Sequence, residues 1–445
     1  MERTVSAGPW KTVDVAPGIT APFYILPFDK KGRCEAPLTR DHLLRTLEEG
    51  SYTHVFLFSH GWNNDWAAAT QRYDDFIAGF QSLRDKLSLP LPNLYHPLLV
   101  GVIWPSTALV LPWEEAPDFA ADATVAEDLN AVREIAADLP DENVTRFYEL
   151  SQRGQDLTPD EAKEMASLLV PLYQRADDEA GQRVADAIST TEELVQIWRT
   201  AQPDKKTVDT SGEFGFADDE GAGLPEAAPF PGFLDPRLVL RLVTVRQMKD
   251  RAGTVGYHGV APLLRELLSV STARAHLVGH SYGCKVILSA LCAAAPPRQV
   301  ESLLLFQPAV SHLSFAQDAD GKGTPGGYRS ALAHVRQPIL TTFTRRDLPL
   351  HKAFHLALRR SSDLGEVQIA AGAAPSRFAA LGGYGPSGFG PGEVREIPMK
   401  RPPGRYELGA DAPEIYALRA DDLIAGHGDI SNEATWWALY NQLMA

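Results

Sequence analysis

The chain has 445 residues, 44% of them hydrophobic, and a formal net charge of −15; it exceeds one ordinary domain, suits an α/β unit with insertions, and can bury a large core. No apolar run reaches the roughly 18 residues of a spanning helix, no basic patch with interleaved aromatics invites nucleic acid, and Met1 to Ser6 shows no signal-type apolar stretch. Three cysteines cannot build a disulfide framework, so a reduced, cytoplasmic protein is expected.

Residues 22–28 read as an early strand, assigned to a sheet edge by their prolines. Thr39 is placed to cap a helix over 40–47. Residues 53–59 form an apolar, β-rich run that breaks at His60-Gly61-Trp62-Asn63-Asn64, as a buried strand does on entering a tight loop. In such a loop the N–H of Trp62 is one candidate oxyanion donor, while His60 reads as structural. Apolar spacing predicts an amphipathic helix over 66–87, and 98–104 is the next strand, ended by Pro105.

Residues 106–234 change character. The stretches 119–138, 143–152, 159–175 and 178–199 read as helices, and Thr158-Pro159-Asp160-Glu161 is a capping-box start with proline at the first helical position. Residues 203–233 read as a linker with few groups able to form a core. The acidity gathers here, with 28 acidic against 9 basic residues between Glu114 and Glu226. Beside a site, such an insert would repel anionic membranes or substrates; solvation of an exposed helical face is the plainer account.

Helices predicted over 238–248 and 260–268 lead to Gly279-His280-Ser281-Tyr282-Gly283, set between the mostly apolar runs 275–278 and 284–291. This is strand, sharp turn and helix. The turn lifts the Ser281 hydroxyl clear of the sheet, and glycines flank it where a Cβ would clash. A serine hydroxyl is a poor nucleophile unless a base takes its proton, a third group orients that base, and N–H donors meet the oxyanion. Tyr282, following the serine, supplies the second candidate donor.

The runs 300–306 and 337–343 have the length of buried parallel strands. The second is followed by Asp347, past a strand's carboxyl end, where active-site loops gather in open α/β sheets. Asp318 and Asp320 are rival acids in a Gly-rich segment before that strand. Residues 381–391 are too Gly-rich for a regular element. A final strand over 414–419 precedes His427, which stands between Gly426 and Gly428, and 432–443 reads as a closing helix capped by Ser431 or Asn432.

Several residues invite other chemistry. His351 and His355 have the spacing of a metal pair, but a zinc peptidase would want glutamate where Lys352 stands, so no metal is expected. Lys285 has the wrong spacing for an S-x-x-K nucleophile and reads as exposed. Cys284 and Cys292 read as core residues. Trp62, Trp66, Trp104 and Trp113 could line an aromatic acyl pocket, or serve packing alone.

Residues 59–62, 279–283, Asp347 and 426–430, in that order, resemble the α/β-hydrolase superfamily over roughly residues 20–110 and 235–445. The resemblance implies an α/β-hydrolase fold: a mostly parallel central sheet flanked by helices, built from 1–105 and 235–445. Residues 106–234 would then be a helical cap insertion, with a peripheral decoration or oligomer contact as the alternative. It implies catalysis by Ser281, His427 and Asp347, with oxyanion donors at Trp62 and Tyr282 and neither metal nor cofactor. Trp66, Trp104 and Trp113 are the candidate substrate contacts. The expected activity is hydrolysis of a small-molecule or lipid-like carboxylic ester through an acyl-enzyme. A peptidase or acyltransferase with the same triad, and a non-catalytic binding protein on the same fold, remain open because fold alone does not name the substrate.

Overall fold

Residues 7–16, 18–106, 132–153, 156–173, 190–201, 233–347, 349–353 and 379–445 are described by the computed structural model. Nine strands form one sheet: β1 (Lys11–Ala16), β2 (Ile19–Pro27), β3 (His54–Ser59), β4 (Pro97–Ile103), β5 (Arg274–His280), β6 (Ser302–Phe306), β7 (Ile339–Phe343), β8 (Val394–Pro398) and β9 (Ile415–Arg419). Their order is β1-β2-β4-β3-β5-β6-β7-β9-β8. Only β1 and β2 pair antiparallel, and every other neighbouring pair is parallel. The central strands are almost wholly buried and mostly apolar because both their faces are covered. Val55 and Leu57 of β3 enter one apolar layer, while Phe56 and Phe58 enter another on the opposite face.

The helices are α1 (Pro37–Glu49), α2 (Trp66–Lys86), α3 (Asp141–Ser151), α4 (Pro159–Tyr173), α5 (Thr191–Ala201), α6 (Pro236–Val255), α7 (Ala261–Val270), α8 (Tyr282–Cys292), α9 (Ala331–His334), α10 (Leu381–Tyr384) and α11 (Glu433–Leu443). Buried residues of α2 and α11 cover one face of the sheet, and those of α1, α6, α7 and α8 the other. A π turn over Gly256–Val260 joins α6 to α7. Helices α3, α4 and α5 pack on α6, which packs on α8. Phe147, Leu169 and Trp198 thereby join the same apolar layer as the sheet. Of the helix expected over 119–138 only residues from 132 onward are described; the linker expected over 203–233, apart from Phe233, lies outside the described residues.

Four expectations are corrected. The strand with two prolines is not an edge, since β2 runs between β1 and β4. Pro22 faces Thr12 of β1, and the parallel ladder to β4 begins one residue later at Phe23, so Pro22 lies outside that ladder, while Pro27 stands at its last position opposite Ile103. Thr39 does not cap α1; that helix starts at Pro37 after Ala36, and Thr39 is buried within it. Lys285 is buried rather than exposed, its stem beside Gly253 and its ammonium 6.0 Å from the centre of the Tyr328 ring. The segment expected to lack regular structure begins with the helical turn α10. Asn432, not Ser431, caps α11: its Oδ1 accepts the N–H of Ala434 and Thr435, and Thr435 Oγ1 accepts the N–H of Asn432 in return.

Among the described residues no helix is long and apolar enough to cross a membrane. The three cysteines are free thiols.

Candidate active site

The turn after β5 holds Ser281 at φ +54°, ψ −125°, a conformation that L side chains rarely adopt. Such backbone costs on the order of 1–3 kcal/mol and persists only where the surroundings over-determine it. Here they do. The Ser281 N–H donates to Phe306 O at 3.0 Å, and its carbonyl accepts from Cys284 at 3.1 Å and Ala309 at 3.2 Å. A Cβ on Gly283 would collide with the carbonyl oxygens of Ser59 and His60, so the turn lies directly against the end of β3.

Three side chains from distant segments meet at this turn. Ser281 Oγ lies 2.8 Å from His427 Nε2, and His427 Nδ1 lies 2.7 Å from Asp347 Oδ2. Asp347 is fully buried just after β7, and its Oδ1 accepts the Leu350 N–H at 3.0 Å. With an N–H already facing each carboxylate oxygen, Asp347 holds the imidazole as the Nδ1–H tautomer. That leaves the Nε2 lone pair for the serine proton. Asp318 and Asp320 are not in this group. Asp320 binds the Lys322 and Thr324 backbone and Thr324 Oγ1, bonds that bring its carboxyl down to about 2.

The loop after β3 is built from its own polar groups. Asn64 Nδ2 donates to Gly61 O at 3.1 Å and Trp62 O at 2.7 Å, while Arg72 Nε donates to Asn64 Oδ1 at 2.6 Å. That donor fixes which end of the amide faces the carbonyls. Asn63, at φ +56°, donates its N–H to Ser106 O, and Ser106 Oγ donates to Asn64 O. A Cβ on Gly61 would stand 2.8 Å from Ser281 Cβ, so this loop touches the serine turn. Trp62 and Tyr282, whose ring centres are 6.4 Å apart, directly follow the touching residues Gly61 and Ser281.

His60 is locked in place. Its Nδ1–H donates to Gly61 O at 2.8 Å, its Nε2 accepts the Trp104 N–H at 3.2 Å, and its ring stacks on the Trp104 indole. Burial lowers its pKa to about 4, so it stays neutral. Tyr73 of α2 anchors the same strand end, accepting the His60 N–H and donating to Val102 O.

Among the described residues, Trp66 lies on the opposite layer from Trp62 and Trp104. Trp104 is almost fully buried against His60, and Trp62 packs on the layer of α8. Trp66 opens α2 and packs on the opposite layer, while Trp113 lies outside the described residues. Among the described residues no group of three or more His, Cys, Asp or Glu side chains could hold a metal, and His355 falls outside them.

Two side chains beside Ser281, His427 and Asp347 carried no signal of their own in the sequence. His280 Nε2–H donates to the His427 carbonyl at 2.7 Å. Gln307 Nε2 donates to Gly426 O at 2.7 Å and His427 O at 3.0 Å. His280 sits inside the Gly279–Gly283 motif and Gln307 directly follows a buried strand. Place was the only available signal for either. The chain matches no protein-family model, no curated protein and no solved structure in the comparisons made.

Proposed function

We propose that this chain is a serine hydrolase on an α/β-hydrolase fold, and that it cleaves a carboxylic ester through an acyl-enzyme. The continuous hydrogen-bond path from Ser281 through His427 to buried Asp347 carries this reading. The strand order, with one antiparallel pair at the start of an otherwise parallel sheet, supports the fold assignment, as does a strained serine between strand and helix. In this reading α3, α4 and α5 form the cap.

Ser281 Oγ attacks the ester carbonyl as His427 Nε2 takes its proton. Asp347 stabilises the resulting imidazolium, and the Trp62 and Tyr282 N–H groups receive the oxyanion. One such donor contributes about 3 kcal/mol to lowering the barrier. The carbonyl re-forms as the C–O bond to the alcohol breaks, and His427 returns its proton to the departing oxygen. Water, deprotonated by the same imidazole, then releases the acid.

Ser281→Ala is expected to abolish turnover of p-nitrophenyl esters and covalent labelling by a fluorophosphonate while the protein stays folded. A folded Ser281→Ala protein with wild-type turnover would overturn the nucleophile assignment. Turnover of short esters, long acyl esters and aminoacyl amides separates esterase from peptidase.

A further inference from the structure

Resting on the reading of His427 as the base, we propose that His280 and Gln307 are positioning residues that clamp the His427 carbonyl and so fix where the imidazole points. The carbonyl of His427 accepts two side-chain hydrogen bonds, from His280 Nε2 at 2.7 Å and Gln307 Nε2 at 3.0 Å. Gln307 also takes the preceding carbonyl, Gly426 O, at 2.7 Å. Neither donor belongs to the loop it holds. One stands at the carboxyl end of β5, next to the nucleophile, and the other at the carboxyl end of β6.

Both donors are themselves rigid. Gln307 is fully buried at φ +41°, a strained conformation for a residue with a side chain. Its N–H donates to Thr342 Oγ1 at 2.9 Å, and Gly382 of α10 packs so closely on its backbone that a Cβ there would stand 2.5 Å from Gln307 C. Reversing its amide would set an oxygen against two carbonyls, so the NH2 group must face the loop. His280 is buried as well, and burial holds its pKa well below the ordinary histidine value. It therefore stays neutral, with its proton on Nε2 towards the carbonyl, and does not place a second cation beside the imidazolium.

The loop needs this restraint. His427 stands between two glycines; apart from a 3.4 Å bond from Arg72 Nη1 to Gly428 O, the other backbone bonds of its loop are local: Asp429 N–H to Gly426 O, Ile430 N–H to Gly428 O, and Ala425 N–H to Asp429 Oδ2. Those bonds give the loop its shape without fixing it relative to Ser281. Arg72 reaches only Gly428, one residue further on; the clamp acts on His427 itself, tying the base to the two strand ends around the nucleophile. Proton transfer depends on this alignment, and misplacement by about 1 Å costs on the order of 100-fold in rate.

The test compares full-length wild type with His280→Phe, His280→Gln and Gln307→Leu. The phenylalanine keeps a ring without the donor, and the glutamine at 280 restores an N–H donor. Turnover of p-nitrophenyl acetate in His280→Phe and Gln307→Leu should show kcat lowered about 10- to 100-fold with KM unchanged. His280→Gln should recover most of the loss. The downfield proton resonance between His427 Nδ1 and Asp347 should broaden in the two donorless variants, whereas a purely structural loss would lower Tm and leave the resonance of the folded fraction intact. Wild-type kcat in both folded donorless variants, with that resonance sharp, overturns the clamp and leaves the nucleophile assignment standing. If wild-type protein takes up no fluorophosphonate at Ser281, the underlying reading fails and the clamp fails with it. Should Gln307→Leu not fold, the two substitutions at His280 decide the matter.

Discussion

At the scale of single residues, Asp347 is the most demanding member of the proposed triad because each of its carboxylate oxygens faces an N–H donor. An asparagine has one oxygen to offer two donors. Its NH2 would face either Leu350 or His427, and in the latter case it would favour the tautomer with the proton on Nε2. Asp347→Asn is therefore expected to lower kcat about 10³- to 10⁴-fold with little change in stability, measured by ester turnover beside thermal unfolding. That Asp347 would meet His427 was legible only from its place after a strand, since a loop aspartate has no motif. Ser281 announced itself through its flanking glycines, and His427 through its own. Gln307 and His280 did not, because an amide or a neutral ring gains its role from carbonyls that only the fold brings near.

At the scale of elements, legibility followed burial. β3, β4, β6 and β7 are buried along their whole length, and each stood out as an apolar run. β1 and β8 were missed because all of β8 and the first four residues of β1 are exposed or half-buried, and charge at Lys11, Asp14, Arg395 and Glu396 hides them. The join between β5 and α8 is the least forgiving one. Gly283 rests on the carbonyls of Ser59 and His60, and backbone oxygens cannot swing aside as a side chain can. Gly283→Ala must push the turn away from β3, whose end carries the loop of Trp62. It is expected to lose about 1–3 kcal/mol of stability, seen by urea unfolding, and to lose turnover as well. Full activity in that variant would show that the two loops need not touch.

At the scale of the whole molecule, the sheet carries several buried neutral histidines whose cost depends on pH. Burial lowers His54 and His60 to about 4, and His276 lies well below its ordinary value. His54 stacks on His276 with ring centres 5.4 Å apart, and His276 stacks on Phe56. In each case the folded pKa lies below the unfolded one, so the unfolded chain binds more protons. Stability is complete above about pH 6.5 and drains away as the pH falls towards 4, by about 3 kcal/mol for His60 alone. Urea unfolding at about pH 7.5 and about pH 5 should show a clear drop in midpoint. Because His54 Nε2 has no hydrogen-bond partner among the described residues, His54→Phe should fold and make that dependence shallower. An unchanged slope would remove His54 from the account.

The guanidinium of Arg72 reaches both halves of the site, Asn64 through Nε and the Gly428 carbonyl through Nη1 at 3.4 Å. The loop of Trp62 and the loop of His427, to which the proposed oxyanion donor and base belong, are therefore moored to one shared post on α2. Whatever slackens that post, whether warming, urea or a shorter side chain, unsettles both together, so the chemistry would fade while the sheet beneath it still stands.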